Sequence, residues 1–213
     1  MELKGKKVNF LGDSITEGVG TSCEEAMFPN VVARKAELAV ARNYGVSASR
    51  IARQKLAEGE CCDPRDYCER FAEMDDDADI VVVFGGTNDY GHGNAAFGGD
   101  SDRTPDTYCG AVHYLMEGLI KKYPKADIVF MTPIHRNGET IPNMHGRILK
   151  EYVDEIKIAA EQYSIPVLDL FGMGGIYPQF ECHRTAWCPD GLHPNDAGNM
   201  KIADRLIAFL KNI

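Results

Sequence analysis

Short apolar runs alternate along the chain with longer stretches in which apolar residues recur at helical spacing. The short runs predict five strands, in residues 6–12, 41–45, 78–86, 125–133 and 165–170. The third run, ADIVVVFGG, is continuous and rich in β-branched residues, which is typical of a strand buried on both faces. The longer stretches predict four helices, within residues 28–43, 104–123, 149–163 and 196–210. We expect Pro29 to start the first helix, and Thr104 to cap the second, with Pro105 in its first turn.

Strands that alternate with helices predict a parallel sheet covered on both faces, a three-layer α/β/α sandwich. We expect one domain over residues 1–213, with five strands in the flavodoxin-like order 2-1-3-4-5. In that order strands 1, 2 and 3 are neighbours, and the loops that follow them meet outside the carboxyl end of the sheet. Those loops are GDSITEG, NYGVSASR and GGTNDYGHG, all rich in glycine and polar residues. The sequence therefore predicts a site at this edge.

The net charge of the chain indicates which classes of molecule it is suited to bind. The chain has 213 residues, of which 44% are hydrophobic and 26% charged, and its net charge is −9. An acidic chain without a basic stripe is unlike proteins that bind nucleic acid or anionic membranes. No stretch reaches the roughly 18 apolar residues of a membrane helix, and MELKGKKVNFLG lacks the features of a signal peptide. We therefore expect a cytoplasmic protein that acts on a small molecule, with no nucleic-acid or membrane partner, and leave a homo-oligomer open.

The seven cysteines favour reduced thiols, because their number is odd and no leader is recognised. We interpret the adjacent pair Cys61 and Cys62, and the nearby Cys68, as buried small residues or incidental thiols. Four potential zinc ligands lie close together in sequence: Cys182, His183, Cys188 and His193. Their spacing contains no CxxC pair, which structural zinc sites commonly use, so we predict no metal site.

Several candidate catalytic residues lie at the ends of the predicted strands. Ser14 ends the first strand, but a serine nucleophile needs a base and a group that orients the base. His193 is the candidate base and Asp190, three residues earlier, its carboxylate; a lone Asp-x-x-His also fits a surface turn. An oxyanion needs donors, and the amide of Asn88 and the backbone N–H groups of Gly45 and Ser14 are candidates. Each donor also fits an ordinary turn, but the combination favours acyl transfer.

At these residues the chain resembles the GDSL esterases, also called SGNH hydrolases. The nucleophile block appears as GDSITEG, the second block as NYGVSAS, the third as GTND and the fifth as DGLH. The blocks occur in the family's order and span nearly the whole chain. The resemblance implies the flavodoxin-like sandwich and these roles: Ser14 as nucleophile, Gly45 and Asn88 as oxyanion donors with the Ser14 N–H, and Asp190 and His193 as the rest of the triad.

One position departs from the family pattern, because the family often has another glycine in the second block where this chain has Ala48. We interpret Asp13 mainly as a structural group that accepts hydrogen bonds from loop N–H groups, and also as a candidate substrate contact. Tyr90, His92 and Trp187 are further candidates for substrate binding. The first two lie in a long, glycine-rich, polar segment that directly follows the third block.

The resulting hypothesis is a serine carboxylic-ester hydrolase that works through an acyl-enzyme without metal or cofactor. We expect short-chain, acetyl esters as substrates, with O-acetylated sugars as one class. Two alternatives stay open: a lysophospholipase or thioesterase of the same family, and a non-catalytic ligand-binding protein on the same fold. A phosphate-binding role for residues 12–18 has little support, since the loop contains no lysine and no GxxxxGK pattern.

Overall fold

The computed structural model describes residues 1–55 and 63–213 of the chain. Its centre is a five-stranded parallel sheet in the order β2-β1-β3-β4-β5, which confirms the predicted order. The strands are β1 (Lys7–Gly12), β2 (Val40–Gly45), β3 (Ile80–Phe84), β4 (Asp127–Met131) and β5 (Val167–Leu168). The fifth strand is therefore shorter than the apolar run from which it was predicted.

Helices cover both faces of the sheet. Among the described residues the α-helices are α1 (Ser14–Glu17), α2 (Phe28–Ala36), α3 (Tyr67–Arg70), α4 (Thr87–His92), α5 (Tyr108–Lys122), α6 (Leu149–Gln162), α7 (Leu170–Met173), α8 (Glu181–Trp187) and α9 (Asp196–Leu210). Short 3₁₀ turns lie at Glu24–Ala26 and Phe71–Glu73.

Two predicted helix boundaries differ from the structure. Helix α2 ends at Ala36, because Glu37 adopts a left-handed conformation with φ of 52° that ends the helix. Helix α5 is capped by Thr107, whose hydroxyl accepts a hydrogen bond from the Gly110 N–H, so the predicted cap at Thr104 is wrong.

The sheet separates two apolar cores. Val81 and Val83 of β3 point to one core, which also holds the buried faces of α5 and α6. Val82 of the same strand points to the other core, which holds residues of α2 and α9. Because successive side chains of a strand point to opposite faces, a central strand between two helical layers is apolar at every position. This confirms the interpretation of the continuous run.

The central strands end level with one another at the carboxyl edge. Gly12, the last residue of β1, pairs with Gly45 of β2 and with Phe84 of β3. The loops after these three strands consequently begin side by side. This edge is where the predicted catalytic residues from both ends of the chain meet.

Three cysteines of the described part are buried thiols, namely Cys68, Cys109 and Cys188, while Cys23 and Cys182 are exposed. Cys61 and Cys62 lie outside the described residues. In residues 1–55 and 63–213, no group of three or more His, Cys, Asp or Glu side chains is placed to hold a metal ion. None of the helices in these ranges is long and apolar enough to cross a membrane.

Candidate active site

Ser14 lies at the first position of α1, immediately beyond the end of β1. The carboxylate of Asp13 caps this helix by accepting a hydrogen bond of 3.0 Å from the Ile15 N–H. Gly12 permits the close approach of strand and helix, since an added Cβ there would overlap the side chain of Thr16. The short turn therefore holds the Ser14 side chain at the sheet edge, where it is 7% exposed.

His193 and Asp190 form a local unit on the loop before α9. One carboxylate oxygen of Asp190 accepts the backbone N–H groups of Leu192 and His193 at 2.8 and 2.7 Å. The other oxygen lies 2.7 Å from His193 Nδ1. Burial tends to raise the pKa of Asp190, but the hydrogen bonds from His193 and Leu192 outweigh it and keep the pKa below its usual value. Asp190 is therefore poised as an anion beside the imidazole.

The structure brings this unit to Ser14. The hydroxyl oxygen of Ser14 lies 3.0 Å from His193 Nε2, although 179 positions separate the two residues. A carboxylate can only accept, so His193 Nδ1 carries the proton and Nε2 faces the serine with its lone pair. This tautomer is the one that removes a proton from a nucleophilic hydroxyl.

A small cavity of about 280 Å³ opens over Ser14. Its lining within the described residues comprises Ser14, Val19, Ser47, Ala48, Asn88, His92, Arg136, Leu192 and His193. Two of the three predicted oxyanion contributors, Ser14 and Asn88, therefore border the same space. The Asn88 amide donates one hydrogen bond of 3.0 Å to the Ser49 carbonyl, and an NH₂ group has a second hydrogen for a ligand.

Gly45 has a different role from the one that the sequence predicts. Its N–H already donates to the side-chain oxygen of Asn43 at 2.8 Å. A Cβ at Gly45 would overlap the backbone of Glu17, so the absence of a side chain is what lets α1 pack on β2. The cavity wall is formed instead by Ala48, which has the left-handed φ of 62°. From the sequence, Ala48 was noted only as a departure from the family's glycine, which is the usual residue for that backbone conformation.

Of the three other residues predicted to contact the substrate, one borders the cavity over Ser14 and two do not. His92 lies in the cavity wall. The Tyr90 hydroxyl donates towards the carbonyls of Gly138 and Ile141, and this ring lines a neighbouring cavity. Trp187 lies beneath the ammonium group of Lys201 and lines a separate groove along α9. Neither Tyr90 nor Trp187 is among the described residues that border the space over Ser14.

Arg136 is a cavity residue that sequence reasoning overlooked. It lies in the loop after β4, and its Nη1 donates to the carbonyl and hydroxyl of Thr87 at 3.1 and 3.2 Å. It also lines the neighbouring cavity of about 260 Å³, so one guanidinium borders both spaces. Its position after the fourth strand of a parallel sheet is the only signal that the sequence contained.

Two buried carboxyl groups lie behind the site. Burial raises the pKa of Asp13 from 3.8 to about 7, while the hydrogen bond from Ile15 acts in the opposite direction. Burial also raises the pKa of Asp89 to about 6, against the hydrogen bonds from the N–H groups of Ala52 and Ile51. Asp13 is 2% exposed and does not border the cavity within the described residues, which supports its structural interpretation.

Comparison with known proteins identifies related chains. Residues 10–201 match the model of the GDSL-like Lipase/Acylhydrolase family. One solved structure is 30% identical and covers 100% of this chain and 99% of its own, with a TM-score of 0.87. A structure from Lactobacillus plantarum is 28% identical, covering 98% of each chain, with a TM-score of 0.85. The acetyl xylan esterase AlAXEase has the same fold at 21% identity, covering 95% of this chain and 98% of its own, with a TM-score of 0.65. A search of curated proteins finds no match.

The buried Asp13 carboxyl predicts a stability that depends on pH. The folded state binds the Asp13 proton more tightly than the unfolded chain, so its contribution is full below pH 3.8 and is lost as the pH rises through about 7. Asp13→Asn keeps an acceptor for Ile15 but never ionises. Relative to wild type, the free energy of unfolding of Asp13→Asn should rise between about pH 4 and about pH 7, by up to about 4 kcal/mol. Urea unfolding at several pH values measures this difference; a difference that does not change with pH would contradict it.

The contrasting environments of Gly45 and Ala48 predict responses to substitution that differ in size. Gly45→Ala should lose about 3 kcal/mol or more of unfolding free energy, because the new methyl group overlaps the backbone of α1. Ala48→Gly keeps the N–H and suits the positive φ, so stability should change by less than about 1 kcal/mol. Thermal and denaturant unfolding of the two variants provide the comparison. Equal destabilisation would show that the packing argument is incorrect.

Proposed function

This chain belongs to the GDSL-like lipase/acylhydrolase family, and we propose that it is a serine carboxylic-ester hydrolase that works through an acyl-enzyme. The observation that carries the proposal is the continuous hydrogen-bonded chain from Ser14 through His193 to Asp190, with distances of 3.0 and 2.7 Å. Nucleophile, base and orienting carboxylate thus stand in the order that acyl transfer needs.

The first half-reaction forms the acyl-enzyme. Ser14 Oγ attacks the acyl carbon of the ester while His193 Nε2 takes the hydroxyl proton, and Asp190 stabilises the resulting imidazolium. The oxyanion accepts hydrogen bonds from the free N–H of the Asn88 amide, from the Ser14 N–H and from the Ala48 N–H. When the tetrahedral intermediate collapses, the carbon–oxygen bond to the alcohol breaks and His193 gives its proton to the leaving alkoxide.

The second half-reaction returns the enzyme to its starting state. A water molecule attacks the acyl carbon of the ester on Ser14, and His193 takes one of its protons. Collapse of this intermediate breaks the bond to Ser14 Oγ, which receives the proton from His193, and the carboxylic acid leaves. Only the neutral imidazole can act as the base, because the lone pair on His193 Nε2 must accept the proton.

The shape and polarity of the cavities support a short acyl group on a polar alcohol. The space over Ser14 is small, with apolar contacts from Val19, Ala48 and Leu192. Beyond Arg136 the neighbouring cavity is lined by the polar residues Asn137 and Asn143 and by Tyr90. The Asn137 amide offers a donor and an acceptor there to the hydroxyl groups of a polar alcohol. We therefore favour acetyl esters, including O-acetylated sugars, as substrates.

The nucleophile assignment predicts that Ser14→Ala lowers the hydrolysis of a simple aryl acetate by about 10⁴-fold or more, because a triad acts as a unit. Asp190→Asn should also be severely impaired, since it favours the wrong imidazole tautomer. The exposed Ser101→Ala serves as the matched control and should retain wild-type turnover. Circular dichroism checks that each variant is folded. Activity of Ser14→Ala near that of wild type, or ligand binding with no Ser14-dependent turnover at all, would exclude the proposed reaction.

The cavity dimensions predict selectivity for acyl length. Aryl acetate and aryl butyrate should be cleaved with kcat/KM at least about tenfold above that of the octanoate, because the methylene groups beyond the cavity gain no burial. Among natural alcohols, an acetylated xylose should be cleaved in preference to a lysophospholipid or an acyl thioester. Measuring kcat/KM across this panel decides the point. A rise in kcat/KM with chain length would favour the lysophospholipase alternative.

A further inference from the structure

The two ring nitrogens of His92 are engaged by groups of opposite hydrogen-bonding character. Arg50 approaches Nδ1 with Nη2 at 2.7 Å and with Nε at 3.3 Å. On the other side, Nε2 lies 3.0 Å from the side-chain oxygen of Asn88. A guanidinium has donors only, so Nδ1 must accept, and the ring proton is therefore on Nε2. The result is a directed chain of donors that runs from Arg50 through His92 to Asn88.

This series of hydrogen bonds ends at the Asn88 side chain, the group that we propose binds the oxyanion. Because Asn88 Oδ1 accepts the His92 proton, the amide is oriented with its NH₂ group on the opposite side. There one hydrogen bonds to the Ser49 carbonyl at 3.0 Å, and the other is available to the cavity over Ser14. Rotated by 180°, the amide would place Oδ1 against the Ser49 carbonyl and offer an acceptor to the oxyanion. His92 opposes that rotation, since its N–H would then face the NH₂ group.

Hydrogen bonds hold the backbone of Arg50 in place, and its side chain is buried. Arg50 is 3% exposed, and its N–H and carbonyl are bonded to Gln54 and to the Tyr67 N–H. Asn88 and His92 are separated by four residues on α4 and hence lie on the same face of that helix. The buried Arg50 and the helical spacing of Asn88 and His92 together place the His92 ring between Arg50 and Asn88.

We infer that His92, held by Arg50, is a positioning residue for the proposed hydrolysis: it fixes the Asn88 amide with its free N–H directed at the oxyanion. This inference rests on the proposed function of the cavity. It differs from the expectation that His92 binds substrate, because the effect of His92 is transmitted through Asn88.

A double-mutant cycle on an aryl acetate separates positioning from substrate contact. His92→Ala should lower kcat roughly tenfold, equivalent to one lost hydrogen bond, and leave KM within about twofold. His92→Gln, whose amide can accept from Arg50 and donate to Asn88, should recover most of the loss. Asn88→Ala alone should lower kcat by about 10²–10³-fold. In that background His92→Ala should change kcat by less than about twofold, because the group it orients is gone.

The outcomes distinguish this inference from the proposed function. Loss of turnover in Ser14→Ala tests the function itself. The coupling between His92 and Asn88 tests the series of hydrogen bonds from Arg50 through His92 to Asn88, called the relay below. A His92→Ala effect that persists undiminished in Asn88→Ala, or that appears in KM alone, overturns the relay and makes His92 a substrate contact. His183→Ala, a histidine bonded to the Tyr177 N–H, is the control and should leave kcat unchanged.

A spectroscopic measurement tests the relay without catalysis. In protein labelled with ¹⁵N in histidine, His92 should show the neutral form with its proton on Nε2 and an accepting Nδ1. Arg50→Met should shift the Nδ1 resonance, because the donor to that nitrogen is removed. A proton on Nδ1 of His92 in the wild-type protein would overturn the inference, even if a variant in the cycle fails to fold.

Discussion

The carboxylate of Asp89 joins the two loops that form the Asn88 side of the cavity, where we propose that the oxyanion binds. It accepts the backbone N–H groups of Ile51 and Ala52, both at 2.9 Å, and so fastens the loop after β2 to the first turns of α4. The bonds from Asn88 to the Ser49 carbonyl and from Arg50 to His92 cross the same boundary. Burying a carboxyl group is unfavourable, as its raised pKa shows, and the two N–H donors offset part of that cost.

The other side of the cavity, which Asp190 and His193 form, is held mainly by contacts within one loop. Asp190 binds the backbone and ring of His193 within one short loop, so the geometry of this pair is local. The loop is then docked by a hydrogen bond of 2.8 Å from the Asn137 N–H to the Gly191 carbonyl. Arg136, the residue before Asn137, borders the cavity itself. The loop after β4 therefore both supports the loop that carries His193 and forms part of the cavity wall beside Ser14.

Much of the fold and of the candidate site could be predicted from the sequence, because several of its patterns have a direct physical cause. A strand that is apolar at every position, such as β3, implies helices on both faces, and the polar strand ends marked the carboxyl edge. Other features left weak signals. Ala48 has a left-handed backbone conformation, which a glycine in the sequence would have indicated. At Gly45 the lack of a side chain lets the residue pack on Glu17, and nothing in the sequence distinguished this from the predicted use of its N–H as a donor. Trp187 is near His193 in sequence, but its ring lies against Lys201, which only the three-dimensional packing of α8 on α9 determines.

The hydrogen bond between Ser14 and His193 has a consequence for the biosynthesis of the protein. It closes a contact across 179 positions, and contacts of such sequence separation form late, after many shorter loops have closed. A nascent chain that has been translated only as far as residue 189 contains Ser14 but neither Asp190 nor His193. By the proposed mechanism, such a chain lacks two of the three groups needed to cleave an ester. During refolding, the onset of ester cleavage marks the arrival of the complete topology, whereas optical probes of helix content respond to earlier events.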